Sequence, residues 1–362
     1  MANRTAQGLV VLVIICANGM GHFIRQLGIW AAVLRLLPLL KVTFMVTEAQ
    51  LAFQSPALDF LKSLPNVQFI TDVTSPGVQL RKDGAYNANL LNWSYRLFKY
   101  PIFWTADLVV SDNLTEVLWL RQKGVVLCGQ FLWANTFIDF DSPFAQAFAI
   151  DELCRVEHFK PNWLGVDLLT SPDIKKLANF MGVNWIIQEA IPVDQPLETR
   201  ADNAAVFGGG TSMADALLAK TGELLLNDKQ WNVHMPDNLI QLLPVTLRKH
   251  QRLHLLPQGL ADYSHFRITL GRPGAGTCAA CQVGGTPFGC VYEPGNRELL
   301  DNAEMIEREG LGLNIGNDPQ EVVAAARRLA YTDYDFFRSR ISAQRLDGLQ
   351  QVVDYFVRLL TA

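Results

Sequence analysis

The stretch LVVLVIICANGMGHFIRQLG, residues 9–28, joins an apolar run, a glycine turn and the first residues of a helical pattern. An uninterrupted apolar run before a glycine turn is typical of a strand buried on both faces of a parallel sheet. Apolar residues then recur at helical spacing as far as Pro38, where the helix is expected to end. The stretch therefore predicts a strand, a turn and a helix, the repeating unit of a doubly wound α/β domain.

The same apolar run follows Arg4 and so also resembles a secretory signal peptide. No small residue stands before Cys16, as a lipoprotein signal would require, and the run ends in a glycine turn that opens a helix. No stretch has the roughly 20 consecutive apolar residues of a membrane-spanning helix. We therefore interpret the run as a strand and expect a cytoplasmic protein, with contact at the inner face of the membrane left open.

Composition limits the classes of function that the chain can have. Its 362 residues, 49% of them hydrophobic, can bury a large core and favour two domains of ordinary size. The net charge of -4 lacks the basic surplus of a nucleic-acid-binding protein. We expect no nucleic-acid partner, and a small or lipid-borne ligand fits better.

The six cysteines in this long, core-rich chain do not form the pattern of a disulfide framework. Cys278 and Cys281 form a C-x-x-C motif with Cys290 near it, which would suit zinc. There is no second C-x-x-C pair and no histidine at ligand spacing. We therefore predict small buried helix residues here and no metal.

Strand and helix signals alternate along the chain in two series, separated by the polar, proline-bearing segment 192–203. The first series has strand signals in LVVLVIIC, KVTFMVT, VQFITD, DLVVSD and KGVVLC, and WLGVDLLTS and VNWIIQEAI follow before the linker. The second series has strand signals in NAAVF, QWNVHM, RLHLLP, FRITLG and GTPFGCVYEP. We predict two Rossmann-like doubly wound domains, residues 1–195 and 196–335, with ligand loops facing a central cleft. The amphipathic last helix, within 336–362, is expected to pack across both domains.

Glycine turns join a strand to a helix at three places. Glycines there allow a ligand to approach the backbone, and the helix N-terminus offers free N–H groups, although purely structural turns look the same. Thr211 and Ser212 could cap a helix or contact a phosphate. The candidate residues of the first two turns are Gly19, Gly21, Gly209, Gly210, Thr211 and Ser212.

The third turn, GRPGAGT at 271–277, places an arginine directly before a helix. Arg272 offers a planar fork of donors for phosphate, and the positive end of the helix dipole favours the same anion. The residues that open this helix are Gly274, Ala275, Gly276 and Thr277. Since two of the three turns lie in the second domain, we expect a diphosphate-bearing ligand held mainly there.

Residues 267–312 resemble the donor-binding half of GT-B glycosyltransferases, especially those similar to the N-acetylglucosaminyltransferase that makes lipid II. The shared features are an R-x-G-A-x-T turn at 272–277, a G-x-P at 285–287, and Glu298 shortly before Asn302. NGMGHFIRQLG resembles the family's first glycine loop, with His22 as its histidine. The order of elements agrees over nearly the whole chain, whereas the specific residues lie in about 70 positions.

The resemblance implies a nucleotide-diphosphate sugar as substrate, no cofactor, an acceptor-binding first domain and a donor-binding second domain. It implies that Glu298 faces the sugar hydroxyls and that Asn302 belongs to the donor site. In the family a glutamate on the helix after the third turn holds the nucleotide ribose, and here that position is Ala280. Glu293 or Glu298 could compensate.

The resemblance also implies an inverting transfer, which needs a base for the acceptor hydroxyl and stabilisation of the departing diphosphate. His22 suits the base because imidazole titrates near neutral pH. The alternative bases are Asp112 and the acids of segment 135–160, such as Asp139, Asp141 and Asp151. Asp112, at the end of DLVVSD, could orient His22 or could cap the helix pattern NLTEVLWLR. No DxD motif is present, so Arg272 and the helix N-termini are expected to stabilise the leaving charge without a metal.

The acceptor is less well defined, and glycan, lipid-linked and small-molecule acceptors all remain open. Nearly all tryptophans lie before residue 195, and the aromatic segment 89–104 interleaves Arg96 and Lys99. This segment suits a membrane surface, a lipid-linked acceptor or sugar stacking, while a helix buried in the core is the simpler interpretation.

Two other classes of function share this architecture. A nucleotide-sugar hydrolase or epimerase needs no large acceptor pocket, and a non-catalytic nucleotide-sugar-binding subunit would not need His22. The presence of His22 and the aromatic N-terminal half favour a hexosyltransferase.

Overall fold

The computed structural model describes residues 8–17, 20–71, 94–137, 143–187, 202–208, 214–256 and 260–362. The chain divides into two compact units, the first formed by Met1–Gln188 with Asp347–Ala362 and the second by Glu189–Leu346. The predicted domain boundary at residue 195 lies outside the described residues.

The first unit is built on a parallel sheet of seven described strands in the order β3-β2-β1-β4-β5-β6-β7. The strands are β1 Val10–Ile15, β2 Lys41–Met45, β3 Val67–Ile70, β4 Leu108–Asp112, β5 Val125–Cys128, β6 Asn162–Val166 and β7 Asn179–Val183. Along β1, Leu12 and Ile14 enter the core on one face of the sheet, and Val11 and Val13 enter the core on the other. Both faces are therefore covered, as the uninterrupted apolar run predicts.

Helices cover both faces of this sheet. They are α1 Met20–Leu36, α2 Glu48–Leu51, α3 Pro56–Ser63, α4 Pro101–Thr105, α5 Val117–Leu120, α6 Trp133–Phe137, α7 Pro143–Phe159 and α8 Pro172–Leu177. Thr47 and Ser55 cap α2 and α3 with their side-chain oxygens, which satisfies backbone N–H groups at those helix starts.

The second unit has a parallel sheet of six described strands in the order β10-β9-β8-β11-β12-β13. The strands are β8 Asn203–Phe207, β9 Asn232–Met235, β10 Leu253–Leu255, β11 Ile268–Gly271, β12 Phe288–Val291 and β13 Gly312–Gly316. Its helices are α9 Asp215–Asn227, α10 Asp237–Ile240, α11 Ala275–Gly284, α12 Arg297–Arg308, α13 Glu321–Arg327 and α14 Tyr334–Ser342. The predicted fold class, two Rossmann-like doubly wound units, is confirmed.

The last helix, α15 Gly348–Thr361, belongs to the first unit. It packs on α1, where the rings of Trp30 and Phe356 have centroids 5.0 Å apart. Gln351 accepts a hydrogen bond at 2.9 Å from the backbone of Asn184, just after β7. Packing of this helix on the second unit stays a prediction.

Candidate functional site

The sheet of the first unit reverses its winding between β1 and β4, since β2 and β3 lie on one side of β1 and β5 to β7 lie beyond β4. Ligands of doubly wound sheets bind at the carboxyl ends of the strands at such a reversal. The register places Ile15 of β1 opposite Asp112 of β4. His22 lies in the first turn of α1, the helix that follows β1, and so both predicted catalytic residues come to this edge.

His22 and Asp112 are in direct contact, with 2.7 Å between Nδ1 and Oδ1. The side chain of Asp112 is fully buried and that of His22 is 13% exposed. An ionised carboxylate only accepts hydrogen bonds, so Nδ1 of His22 carries a proton, and in the neutral ring Nε2 then carries the lone pair. This is the tautomer that a histidine needs to act as a base through Nε2.

Two further residues of α1 hold the same carboxylate. Arg25 Nη2 donates to both oxygens of Asp112, at 2.7 and 2.9 Å, and Gln26 Nε2 donates to Oδ2 at 2.7 Å. Burial alone would raise the pKa of Asp112, but Arg25 and His22 outweigh it and lower the pKa to about 2. Asp112 is therefore an anion throughout the physiological range. Its carboxylate contacts α1, and the helix within NLTEVLWLR, α5, has Glu116 and not Asp112 at its N-cap.

The loop after β5 completes this cluster. Gln130 accepts a hydrogen bond at 2.6 Å from Arg25 Nη1, and the ring of Phe131 meets that of His22 edge-on at 6.2 Å. Sequence reasoning missed Arg25, Gln26 and Gln130. Helical spacing could have indicated the first two, because residues three and four positions after His22 lie on the same face of α1.

In the second unit the winding reverses between β8 and β11. Gly271, the last residue of β11, pairs with Phe207 of β8 and leads into the turn before α11. Among the residues that the structure describes, no side chain caps α11 at Gly274, and the N–H groups of its first turn are oriented to bind a ligand. A Cβ added to Gly276 would meet nothing within 4 Å, so space is open beside these donors. The arrangement suits an anion.

Arg272 forms an ion pair with Glu293, a contact that its sequence context does not predict, and its role as a phosphate fork stays a prediction. Its Nε lies 3.1 and 3.0 Å from the two carboxylate oxygens of Glu293, and its Nη2 lies 2.5 Å from Oε1. Glu293 follows β12, the neighbour of β11, so adjacent strand ends bring the two side chains together. Nη1 takes no part in this ion pair.

The other predicted donor residues surround this turn. Asn302 is buried and donates a hydrogen bond at 2.8 Å to the backbone carbonyl of Pro273, so it fixes the turn itself. Glu298 lies half-buried in the first turn of α12. Thr277 and Ala280 are buried in α11, and Ala280 offers no group that could hold a ribose.

Two further predicted residues, Gly21 and Asp151, lie within the described part of the chain. Gly21 is exposed in the first turn of α1. Asp151, an alternative base, is paired with Arg155. Outside the described residues lie Gly19, Gly209, Gly210, Thr211, Ser212 and the alternative acids Asp139 and Asp141.

The cysteines of the C-x-x-C motif and Cys290 are buried as free thiols. Burial raises the pKa of Cys281 to about 12 and the pKa values of Cys278 and Cys290 well above the usual range. Across the described ranges, no group of three or more histidine, cysteine, aspartate or glutamate side chains could hold a metal ion. In the same part of the chain, every helix is too short or too polar to span a bilayer.

Comparison with known proteins finds the likeness in the fold. No protein-family profile and no curated sequence matches the chain. A UDP-glucosyltransferase from Polygonum tinctorium capable of glucosylating indoxyl, solved with 3,4-dichloroaniline, is 16% identical over 99% of this chain and 100% of its own, with a TM-score of 0.67. UGT2 of Phytolacca americana, solved with UDP-2-fluoro-glucose and pterostilbene, is 14% identical over 98% of this chain and 100% of its own, with a TM-score of 0.65. MurG of Acinetobacter baumannii is 16% identical over 97% of this chain and 99% of its own, with a TM-score of 0.61. The predicted resemblance in fold to GT-B glycosyltransferases is confirmed.

Proposed function

We propose that the protein is a glycosyltransferase of the hexosyl-transferring type, which moves a sugar from a nucleotide-diphosphate donor to an acceptor hydroxyl. The observation that carries this proposal is the contact between His22 and the buried Asp112 at the winding reversal of the first sheet. A protein that only binds nucleotides has no use for a histidine oriented by a buried anion. A transferase needs such a base.

In this proposal the second unit holds the donor. The diphosphate accepts hydrogen bonds from the uncapped N–H groups of α11 and from Arg272 Nη1, and the open space at Gly276 admits it. These positive groups also stabilise the charge that develops on the leaving diphosphate. Because they can supply that charge themselves, we propose that the transfer needs no divalent metal.

The chemical step follows from the tautomer of His22. Nε2 takes the proton of the acceptor hydroxyl while the acceptor oxygen forms a bond to the anomeric carbon. The bond from that carbon to the diphosphate oxygen breaks, and its electron pair leaves with the diphosphate. Attack on the face opposite the leaving group inverts the configuration at the anomeric carbon. Asp112 stabilises the imidazolium that forms.

The similar structures support a nucleotide-sugar donor, since UGT2 of Phytolacca americana was solved with UDP-2-fluoro-glucose and the Polygonum tinctorium protein is a UDP-glucosyltransferase. A glycan, a lipid-linked molecule or a small molecule can each supply the acceptor hydroxyl. A nucleotide-sugar screen by thermal shift, followed by transfer assays with acceptors of these three kinds, tests the proposal. Turnover of the nucleotide sugar without acceptor would identify a hydrolase or epimerase, and binding without turnover would identify a binding subunit.

We further propose a peripheral contact with the membrane, at its cytoplasmic face, through the end of the aromatic segment. The aromatic side chains of this segment differ in exposure. Phe103 is fully buried, whereas Phe98 and Trp104 are 55% and 44% exposed beside the exposed Lys99. An apolar surface next to a cation suits an anionic lipid surface. Cosedimentation with anionic vesicles that persists in a Phe98→Ser/Trp104→Ser variant would refute this contact.

A further inference from the structure

The ion pair between Arg272 and Glu293 places a carboxylate beside the site proposed for a diphosphate. The pair is largely buried, with 15% of the Arg272 side chain and 9% of the Glu293 side chain exposed. Its contacts use Nε and Nη2 of the guanidinium, so Glu293 approaches from the side opposite Nη1. Asn296 adds a long hydrogen bond at 3.5 Å to the same carboxylate. Glu293 is therefore held in place next to Arg272.

A carboxylate in this position opposes anion binding, because it repels the ligand that Arg272 attracts. A phosphate oxygen bonded to Nη1 would lie roughly 7 Å from the carboxylate, given ordinary hydrogen-bond lengths on both sides of the guanidinium. The Coulomb energy between the carboxylate and one unit charge on the phosphate, roughly 7 Å apart, corresponds to about a 3- to 50-fold change in affinity, depending on how well solvent screens the pair. The repulsion is thus large enough to change the measured affinity and small enough to permit binding.

The donor and the product of the proposed reaction differ in charge. The diphosphate of a nucleotide sugar is esterified at both ends, whereas the nucleoside diphosphate left after transfer has a terminal phosphate that ionises again with a pKa of about 6. Above neutral pH the product therefore carries most of one further negative charge. A fixed carboxylate penalises the product more than the donor.

We propose that Glu293 is a specificity-determining residue, which makes this site favour the nucleotide-diphosphate sugar over the nucleoside diphosphate that transfer leaves behind. This inference rests on the proposed function and deepens it. Glu293 lowers the affinity for both ligands, lowers it further for the product, and so promotes product release.

The test compares the dissociation constants of UDP and UDP-glucose, with dTDP and dTDP-glucose as a second pair, by calorimetry at pH 8 without acceptor. Glu293→Gln removes the charge but keeps an oxygen that can accept from Arg272. We expect it to tighten binding of the diphosphate by about 3- to 50-fold more than binding of the matching sugar nucleotide. Glu293→Ala should change the ratio of the two dissociation constants, diphosphate to sugar nucleotide, in the same direction. That result would exclude an effect particular to the new amide.

The control is Glu304→Gln, an equal change of charge at an exposed position on α12, which should leave the ratio unchanged. An equal change for both ligands in Glu293→Gln, or a larger gain for the sugar nucleotide, would overturn the inference. Arg272→Ala separates this result from failure of the proposed function. Suppose that Arg272→Ala weakens binding of both ligands, whereas Glu293→Gln leaves the ratio of their dissociation constants unchanged. Only the proposed role of Glu293 is then wrong. If the parent protein binds neither pair, the donor site itself is wrong and the inference falls with it.

Discussion

Replacing His22 by alanine removes the proposed base and leaves the proposed donor-binding residues of the second unit unchanged. General-base catalysis typically contributes about 100- to 10,000-fold, which equals roughly 3 to 5 kcal/mol of activation free energy. We expect a fall in kcat of that size with little change in donor affinity. Folding should be affected less, because Arg25 and Gln26 continue to hold Asp112 after the imidazole is lost.

Compared with His22→Ala, Asp112→Asn should affect stability more and activity no more. Its activity loss should not exceed that of His22→Ala, since Asp112 acts through the histidine. Its cost to stability should be larger. A fully buried carboxylate whose pKa falls from 3.8 to about 2 contributes about 2 kcal/mol of unfolding free energy at neutral pH. Because the folded-state pKa is lowered, this contribution is present above about pH 4 and is lost as the pH falls towards about 2.

The assays are steady-state transfer at saturating donor and urea unfolding at pH 7, on both single variants and on the double variant. The double variant should be no less active than His22→Ala, because the two residues act as one unit. His158→Ala, the same substitution at an exposed position of α7, is the control. Near-parental transfer by His22→Ala would refute this reasoning and place the base elsewhere.

Three further predictions concern other parts of the molecule. Arg272→Ala should weaken binding of a nucleoside diphosphate by about 1.5 to 3 kcal/mol, the range for a hydrogen bond to a charged group, and unchanged affinity in calorimetry would exclude Arg272 from the site. Transfer should persist in EDTA, whereas loss on chelation and recovery with magnesium or manganese would show that a metal stabilises the leaving group. Burial and the neighbouring Glu116 raise the pKa of Glu152 to about 7, so the parent protein should lose stability as the pH rises from about 4.5 to about 7. Glu152→Gln should abolish that loss and be more stable than the parent at pH 8 by about 3 kcal/mol in urea unfolding, and equal pH dependence in both proteins would contradict the cause given.

The sequence predicts the sheets well because strands buried on both faces leave a strong apolar signal. It gives no strand signal for β7, NFMGV, and none for β13, GLNIG, whose two glycines and asparagine have little strand propensity. Pairing with β12, and not strand propensity, explains β13. A Cβ on Gly312 would lie 1.8 Å from the carbonyl oxygen of Phe288 on β12. Only a glycine allows the two backbones to approach so closely.

The candidate site likewise combines features that the sequence predicts with contacts that only the folded structure shows. The closeness of His22 and Asp112 could be anticipated, because His22 comes shortly after β1 and Asp112 ends β4, and the carboxyl ends of these strands share one edge of the sheet. Arg25 and Gln26 look like surface residues of an amphipathic helix until Asp112 is known to lie beneath them. The pairing of Arg272 with Glu293 joins residues that are distant in sequence, and only the adjacency of β11 and β12 brings them together.

The return of α15 to the first unit has a consequence for synthesis on the ribosome. Phe356 and Leu360 fill the same core as Trp30, yet more than 300 residues separate them along the chain. The second unit is thus complete before the last part of the first has been translated. We expect the unit that carries His22 to mature last, and a nascent chain ending at residue 346 to leave Trp30 accessible to a fluorescence quencher. Protection of Trp30 in that chain would show that the first unit closes without its final helix.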